Sequence, residues 1–482
     1  MGGALLTGLA WSALAADEAP AATPARQPLV VKPVFTYPLP TRQPQTSWRN
    51  WGGIQSEADV QAESQRIQGE LERLKKSADF PLEFRPLATI RNGRELKPED
   101  VAGVDAILLY SAGDGGGDLM AAVNPIVALK KDTIFFVRHK SGPLYYWYEG
   151  VMARFLHQHT DNLAVPGVDY TDVVVDSLDE VLWRLRALAG LRNTRGRRIL
   201  AVGGPGGWET PDAPRLARER FNLDIQTVGY QELGELIRSA RGDKAAVDRA
   251  RRRAEDYLKQ PGTTLDTKGD FVDNAFLLDD VFRRLMARTG CQAMTINSCM
   301  SVIMPLAETT ACLALSTLND DGYLAFCESD FVAIPSGILL GAISGRPVFL
   351  QDPTYPHDDI ITLAHCTGPR KMDGRTVEPA RVMTHFESDY GAAPRVAMRT
   401  GQKVTMIAPD FAAKRWLGMT GEIVGHGDLP ICRCQIDVKI GAPSKEIAAR
   451  MPGFHWVLAY GDYAQEIGYA LRRVGIEWDC LG

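Results

Sequence analysis

The sequence predicts an α/β chain: two Rossmann-like α/β domains built on parallel sheets, then a β-rich C-terminal domain, antiparallel or barrel-like. Three observations carry this. Short apolar segments alternate with glycine turns and amphipathic helices, the pattern of a parallel sheet with helices on its faces. That pattern breaks at the basic stretch NTRGRR and restarts with ILAVGGPGGWE, as a second unit would. From about residue 376 the texture changes to short alternating segments between Gly and Pro turns, as in RVMTHFESDY, RVAMRTGQKVTMIAPDF and ICRCQIDVKI. A chain of 482 residues also exceeds what one core usually covers. The expected divisions are a signal and leader over 1–26, α/β domains over 27–194 and 195–345, and a β-rich domain with a closing helix over 346–482.

In chain order, GGALLTGLAWSALAADEAP joins a short apolar run to the small-residue site Ala13-Leu14-Ala15, the form of an export signal. The basic n-region is missing, which puts the expected start upstream and leaves twin-arginine and general export both open. A periplasmic or secreted protein follows; an Ala-rich tail on a cytoplasmic protein is the alternative. Residues 20–50, rich in Pro, Thr and Gln, read as an extended leader. EADVQAESQRIQGELERLKKSA has helical spacing, with acids early and lysines late. VDAILLYSAGDGGGD, DTIFFVRHK and YTDVVVDSLDEVLWRLRALAGL supply strands followed by a loop or helix. In the second unit Leu233 to Leu285 is largely helical, and its charge run RGDKAAVDRARRRAEDYL reads as a solvated face. DYAQEIGYALRRVG is the closing helix, with IEWDC after it.

Several function classes are disfavoured. Net charge is −5 and no basic, aromatic-interleaved stripe occurs, so nucleic acid is not an expected partner. No apolar run reaches the roughly 20 residues that cross a bilayer. The eight cysteines show no disulfide spacing. Cys432 and Cys434 form a C-x-C on one strand face, and adjacent strand cysteines are more often inert than metal-binding. Neither SAGDGGGD nor VGGPGGWE has phosphate-loop spacing, and Pro205 removes a backbone donor that a phosphate wants. Close packing, or binding of a neutral polyol, accounts better for those glycines. No G-x-S-x-G nucleophile motif is present.

The chemistry-bearing stretch is FCESDFVAIPSGILLGAISGRPVFLQDPTY, residues 326 to 355. YLAFCE ends on Glu328 and PVFLQD ends on Asp352. If both strands are neighbours in a parallel sheet, both acids reach the crevice at its C-terminal edge. Two carboxylates there repel and raise one another's pKa unless a cation lies between them. A divalent metal on oxygen ligands, with an imidazole, resolves the conflict. Asp330 reads as the cap of the following helix, whereas Glu is a poor cap. Of eight histidines, His157 and His159 read as surface or packing residues. His365 and His455 fall at strand edges in the half of the chain that carries the acids.

With these residues in hand, CESDFVAIPSGILLGAISGRPVFLQDPTY resembles the metal-binding region of the L-fucose isomerase family, and PGFHWVLAYGDYAQEIGYALRRVGIEWDC resembles its closing segment. L-arabinose isomerase shares the arrangement. The resemblance spans roughly residues 290 to 482. It implies Glu328 and Asp352 as metal ligands and acid/base pair, and His455 as third ligand. His365 resembles a histidine near the site in the arabinose branch and, with Trp456 and Asp330, is a candidate substrate contact. The implied cofactor is Mn²⁺ or another divalent metal. The implied reaction is aldose–ketose isomerisation through a cis-enediol, in a homo-oligomer, trimer or hexamer. Other expectations are a periplasmic carbohydrate-binding protein, or a sugar epimerase or lyase on the same scaffold.

Overall fold

The computed structural model describes residues 25–113 and 123–481. The segment read as an export signal and the glycine run beyond Gly113 lie outside them. Contacts divide the chain into one compact unit over 26–192 and another over 193–482.

In the first unit the strands are β1 (Leu29–Thr36), β2 (Leu82–Phe84), β3 (Ala88–Ile90), β4 (Ala106–Ser111), β5 (Asp132–Val137) and β6 (Val173–Val175). All pair in parallel in the order β2-β1-β4-β5-β6, and β3 continues the β2 edge of β1. β1 lies inside the stretch expected to be an extended leader, and that expectation is corrected. LVVKPVFT is buried at all positions but Lys32 and forms an inner strand. Its Pro33 and proline-rich surroundings disguise it, because proline in an inner strand forfeits a ladder donor. The helix Glu57–Ser77 starts on a capping box, with Ser56 and Asp59 satisfying one another's backbone amides. It buries two acids, Glu63 and Glu70, beneath Arg138 at the end of β5. The Arg138 guanidinium donates to both oxygens of Glu70, at 3.0 and 2.9 Å. Glu63 accepts from Arg138 and from the Tyr145 hydroxyl.

The second unit opens with β7 (Arg198–Val202), β8 (Asp224–Val228), β9 (Thr263–Asp266), β10 (Ala293–Ile296) and β11 (Leu324–Phe326). Four of these make a parallel sheet, β11-β10-β7-β8. The helices Tyr230–Gly242, Lys244–Leu258 and Gly269–Thr289 cover it. In the charged helix the buried residues are Ala246, Ala250, Ala254 and Tyr257, one narrow face of helical spacing.

The remaining strands are β12 (Phe349–Pro353), β13 (Ile360–His365), β14 (Ala380–Met383), β15 (Ala393–Val396), β16 (Lys403–Pro409), β17 (Arg415–Gly425), β18 (Cys434–Ile440), β19 (Trp456–Tyr460) and β20 (Glu477–Leu481). Six of them close an antiparallel barrel, β16-β19-β12-β13-β18-β17, because β16 pairs with both β19 and β17. Closure leaves no free edge, and β20 lies parallel on β17. Phe349, Leu363, Met406, Met419, Ile436 and Leu458 fill the barrel. The boundary expected at residue 345 does not separate two bodies: β9 of the helical part pairs with β14, which pairs with β15. The helix Ile334–Ser344 joins parallel sheet to barrel and is buried at every position. Its small residues have a steric reason. A Cβ at Gly337 would stand 2.5 Å from the Phe326 ring.

Candidate metal centre

Glu328 is set by a bend at the end of β11. It and Ser329 take left-handed backbone angles, φ 65° and 47°, which non-glycine residues rarely adopt. Neighbouring groups hold the bend. The Ser329 amide donates to Thr295 Oγ1 at 3.1 Å. The Gly206 amide donates to the Ser329 carbonyl, and the Phe331 amide to the Gly206 carbonyl, each at 3.1 Å. The glycine turn VGGPGGWE is thus a backbone partner of the Glu328 segment, and a Cβ at Gly207 would come within 2.3 Å of the Thr210 carbonyl.

Asp352 comes from the barrel, on β12 opposite Ala364 of β13. This corrects the expectation that the strands bearing Glu328 and Asp352 are neighbours in one parallel sheet. β11 edges the parallel sheet and β12 is a barrel strand, so two sheets bring the acids together. His365 ends β13, and His455 directly precedes β19.

Four side chains converge. His455 Nε2 is 3.3 Å from Glu328 Oε2 and 3.3 Å from Asp352 Oδ1. His365 Nε2 is 3.7 Å from Glu328 Oε1. Ligand atoms of Asp352, His365 and His455 lie within 4.8 Å of one another. Both imidazoles are buried, while the Glu328 and Asp352 side chains keep 37% and 30% exposure, so a solute can reach the acids. Asp352 Oδ1, His365 Nε2 and His455 Nε2 are buried and have no hydrogen-bond partner. Three orphaned atoms aimed at one point are what a cation satisfies. The carboxylate and imidazole donors fit a hard or borderline divalent ion.

Without an ion the site balances itself by protonation. Burial drives the Glu328 carboxyl up, but His365 and His455 outweigh it and hold the group well below the ordinary carboxylate range. Burial raises Asp352, against the pull of both histidines and with the push of Glu328 and Glu387. Burial opposes charge on His365, yet Glu328 and Asp352 lift it to about 9. His455, likewise opposed by burial, is lifted to about 10 by Asp330, Glu328 and Asp352.

Two expected substrate contacts are corrected. Asp330 is 1% exposed, and protein groups occupy both its carboxylate oxygens. Its Oδ1 accepts from the Val332 and Trp208 amides, both at 3.0 Å, and its Oδ2 meets His455 Nδ1 at 2.8 Å. It caps its turn, as its position suggested, and also orients His455, a candidate ligand. Trp456 points into the barrel core beside Leu458 and Tyr460, and its indole donates to the Pro452 carbonyl. Strand alternation explains this: with Trp456 inward, His455 faces the other way. His365 stands among the candidate ligands rather than beyond them.

The C-x-C pair also separates. Cys434 is in the barrel core, and Cys432 packs with Cys366 and Cys312.

Residues not foreseen complete the mouth. Trp208 and Phe454 stack with centroids 4.6 Å apart, and each stands edge-on to the His455 ring. They remain 42% and 39% exposed. Trp208 follows the glycine turn and Phe454 precedes His455, so adjacency to singled-out motifs was the one signal available. No family model matches the chain, and no curated protein matches it.

Proposed function

We propose that the chain is a metal-dependent aldose–ketose isomerase-like enzyme acting on a sugar, with Glu328, Asp352, His365 and His455 as ligands of Mn²⁺ or another divalent ion. One observation carries the reading: unpartnered atoms of Asp352, His365 and His455 converge beside Glu328 at a point open to solutes. A divalent ion, when bound, polarises a sugar carbonyl and its neighbouring hydroxyl. One of Glu328 and Asp352, as carboxylate, takes the C2 proton while the other, protonated, gives a proton to O1, forming a cis-enediol. The proton is then delivered to C1 as the O2 proton is taken up, leaving the ketose. Asp330 keeps His455 in the tautomer that presents Nε2. Trp208 and Phe454 offer an apolar surface to one face of the sugar ring, beside polar groups that set its orientation. Homo-oligomeric assembly, a trimer or hexamer, belongs to the same reading.

The test is metal content followed by isotope exchange. Protein incubated with Mn²⁺ and desalted retains metal, and Glu328→Ala with Asp352→Ala does not. A panel of aldoses in D₂O then shows deuterium at C2. Absence of bound metal in the wild type overturns the reading. Bound metal with no exchange for any sugar favours a carbohydrate-binding protein or a substrate of another class.

A further inference from the structure

We infer that Cys327 forms, with Glu328 and His365, a second cation position of sulfur, oxygen and nitrogen donors, suited to a thiophilic divalent ion such as Zn²⁺ or Co²⁺. The inference rests on the metal reading of the centre and goes beyond it in naming a donor and a metal class. Ligand atoms of Cys327, Glu328 and His365 lie within 4.8 Å of one another, as do those of Asp352, His365 and His455. The triads overlap at His365, whose Nε2 is buried and unpartnered. Glu328 spans both, with Oε1 toward His365 and Oε2 toward His455.

Local geometry explains how two consecutive residues reach one imidazole. In an extended strand, neighbouring side chains point to opposite faces. The left-handed backbone at Glu328 breaks that alternation directly after β11. Cys327 is itself buried and its thiol touches Cys299, from the segment Cys299–Ile303. Sulfur selects among divalent ions: thiolate favours Zn²⁺ and its neighbours, whereas Mg²⁺ and Mn²⁺ favour oxygen. On binding, the sulfur–metal bond replaces the Cys327 S–H bond and the proton passes to solvent. Because Glu328 and His365 serve both positions, an ion held by sulfur draws ligands from the other triad.

Co²⁺ titration of the metal-free full chain tests this. Visible d–d absorption reports cobalt at the centre, and near-ultraviolet sulfur-to-cobalt charge transfer reports the thiolate. Both signals are expected in the wild type. Cys327→Ser loses the charge-transfer band and keeps the d–d bands, and Cys299→Ser keeps both. d–d bands without charge transfer in the wild type, or charge transfer that survives Cys327→Ser, overturn the Cys327 assignment and leave the metal reading standing. Absence of both signals overturns the two together. If Cys327→Ser does not fold, X-ray absorption of the zinc-loaded wild type decides: a sulfur shell at about 2.3 Å is expected, and its absence overturns the assignment.

Discussion

His455 Nδ1 and Asp330 Oδ2 lie 2.8 Å apart in a fully enclosed contact, and that contact turns the other ring nitrogen toward Glu328 and Asp352. Asp330→Asn is the informative change. Its Oδ1 still accepts from the Val332 and Trp208 amides, so the turn is kept. The new Nδ2 is a donor, however, and faces a ring nitrogen that must also donate. Imidazole then shifts its proton to Nε2, where it blocks a metal. Loss of metal affinity by about 10- to 100-fold is expected, with unchanged circular dichroism. Calorimetric titration with Mn²⁺ measures it.

Trp208 and Phe454 stack beside His455 but offer no ligand atom. Under the proposed isomerase function, Trp208→Ala should therefore raise the KM for sugar about 2- to 10-fold, as loss of an aromatic contact worth about 0.5–1.5 kcal/mol implies. Metal affinity should not move. A fall in metal affinity of the same size would show that Trp208 supports the centre instead of the sugar.

How far the sequence exposed this site depended on the kind of signal each residue leaves. Parallel strands with glycine turns and the antiparallel C-terminal segments were visible, because burial imposes periodicity. Glu328, Asp352, His365 and His455 stood out because acids and imidazoles at the ends of apolar segments are costly. β1 did not, since Pro33 breaks the strand signature. Asp330 was legible as a cap, but as substrate contacts it and Trp456 were misplaced for a different reason: which way a side chain faces depends on the bend at Glu328 and the inward turn of β19, and both are tertiary. The meeting of β11 and β12 across two sheets leaves no local trace in either segment.

The buried cluster in the first unit predicts a large loss on truncation. Arg138 is fully buried and answers two carboxylates, Glu63 and Glu70. Arg138→Met leaves Glu63 and Glu70 enclosed with only the outer arginines Arg66, at 3.1 Å, and Arg73, at 3.8 Å, as counter-charges, which costs about 3 kcal/mol. Urea unfolding of the full chain, with hydrogen exchange to localise the loss to residues 26–192, measures it. A change under about 1 kcal/mol would mean that Arg66 and Arg73, or water, compensate the acids once Arg138 is gone.

Asp320 gives stability a pH dependence of defined sign. Burial lifts its carboxyl from 3.8 to about 7, against the pull of the Lys371 and Arg370 amides. Both amides donate to its Oδ1 at 2.7 Å. A folded value above the unfolded one means the contribution is full below about pH 3.8 and is lost as pH rises through about 7. Asp320→Asn keeps the accepting oxygen and cannot ionise. The variant should match the wild type near pH 4 and exceed it at pH 8 by more than about 1 kcal/mol in urea unfolding.

Gly337 links packing to the site. A Cβ there would lie 2.5 and 2.8 Å from two atoms of the Phe326 ring, which is completely buried and ends β11 two residues before Glu328. Gly337→Ala gains about 1 kcal/mol of helix propensity. It loses about 1–3 kcal/mol by overpacking, because the ring has nowhere to go. The steric term should win, lowering the melting temperature and weakening metal binding as β11 shifts. Gly69→Ala, on the helix Glu57–Ser77, is the matched control, since nothing lies within 4 Å of its Cβ. There propensity acts alone, so stability should rise. Equal effects at both positions would refute the steric account of Gly337.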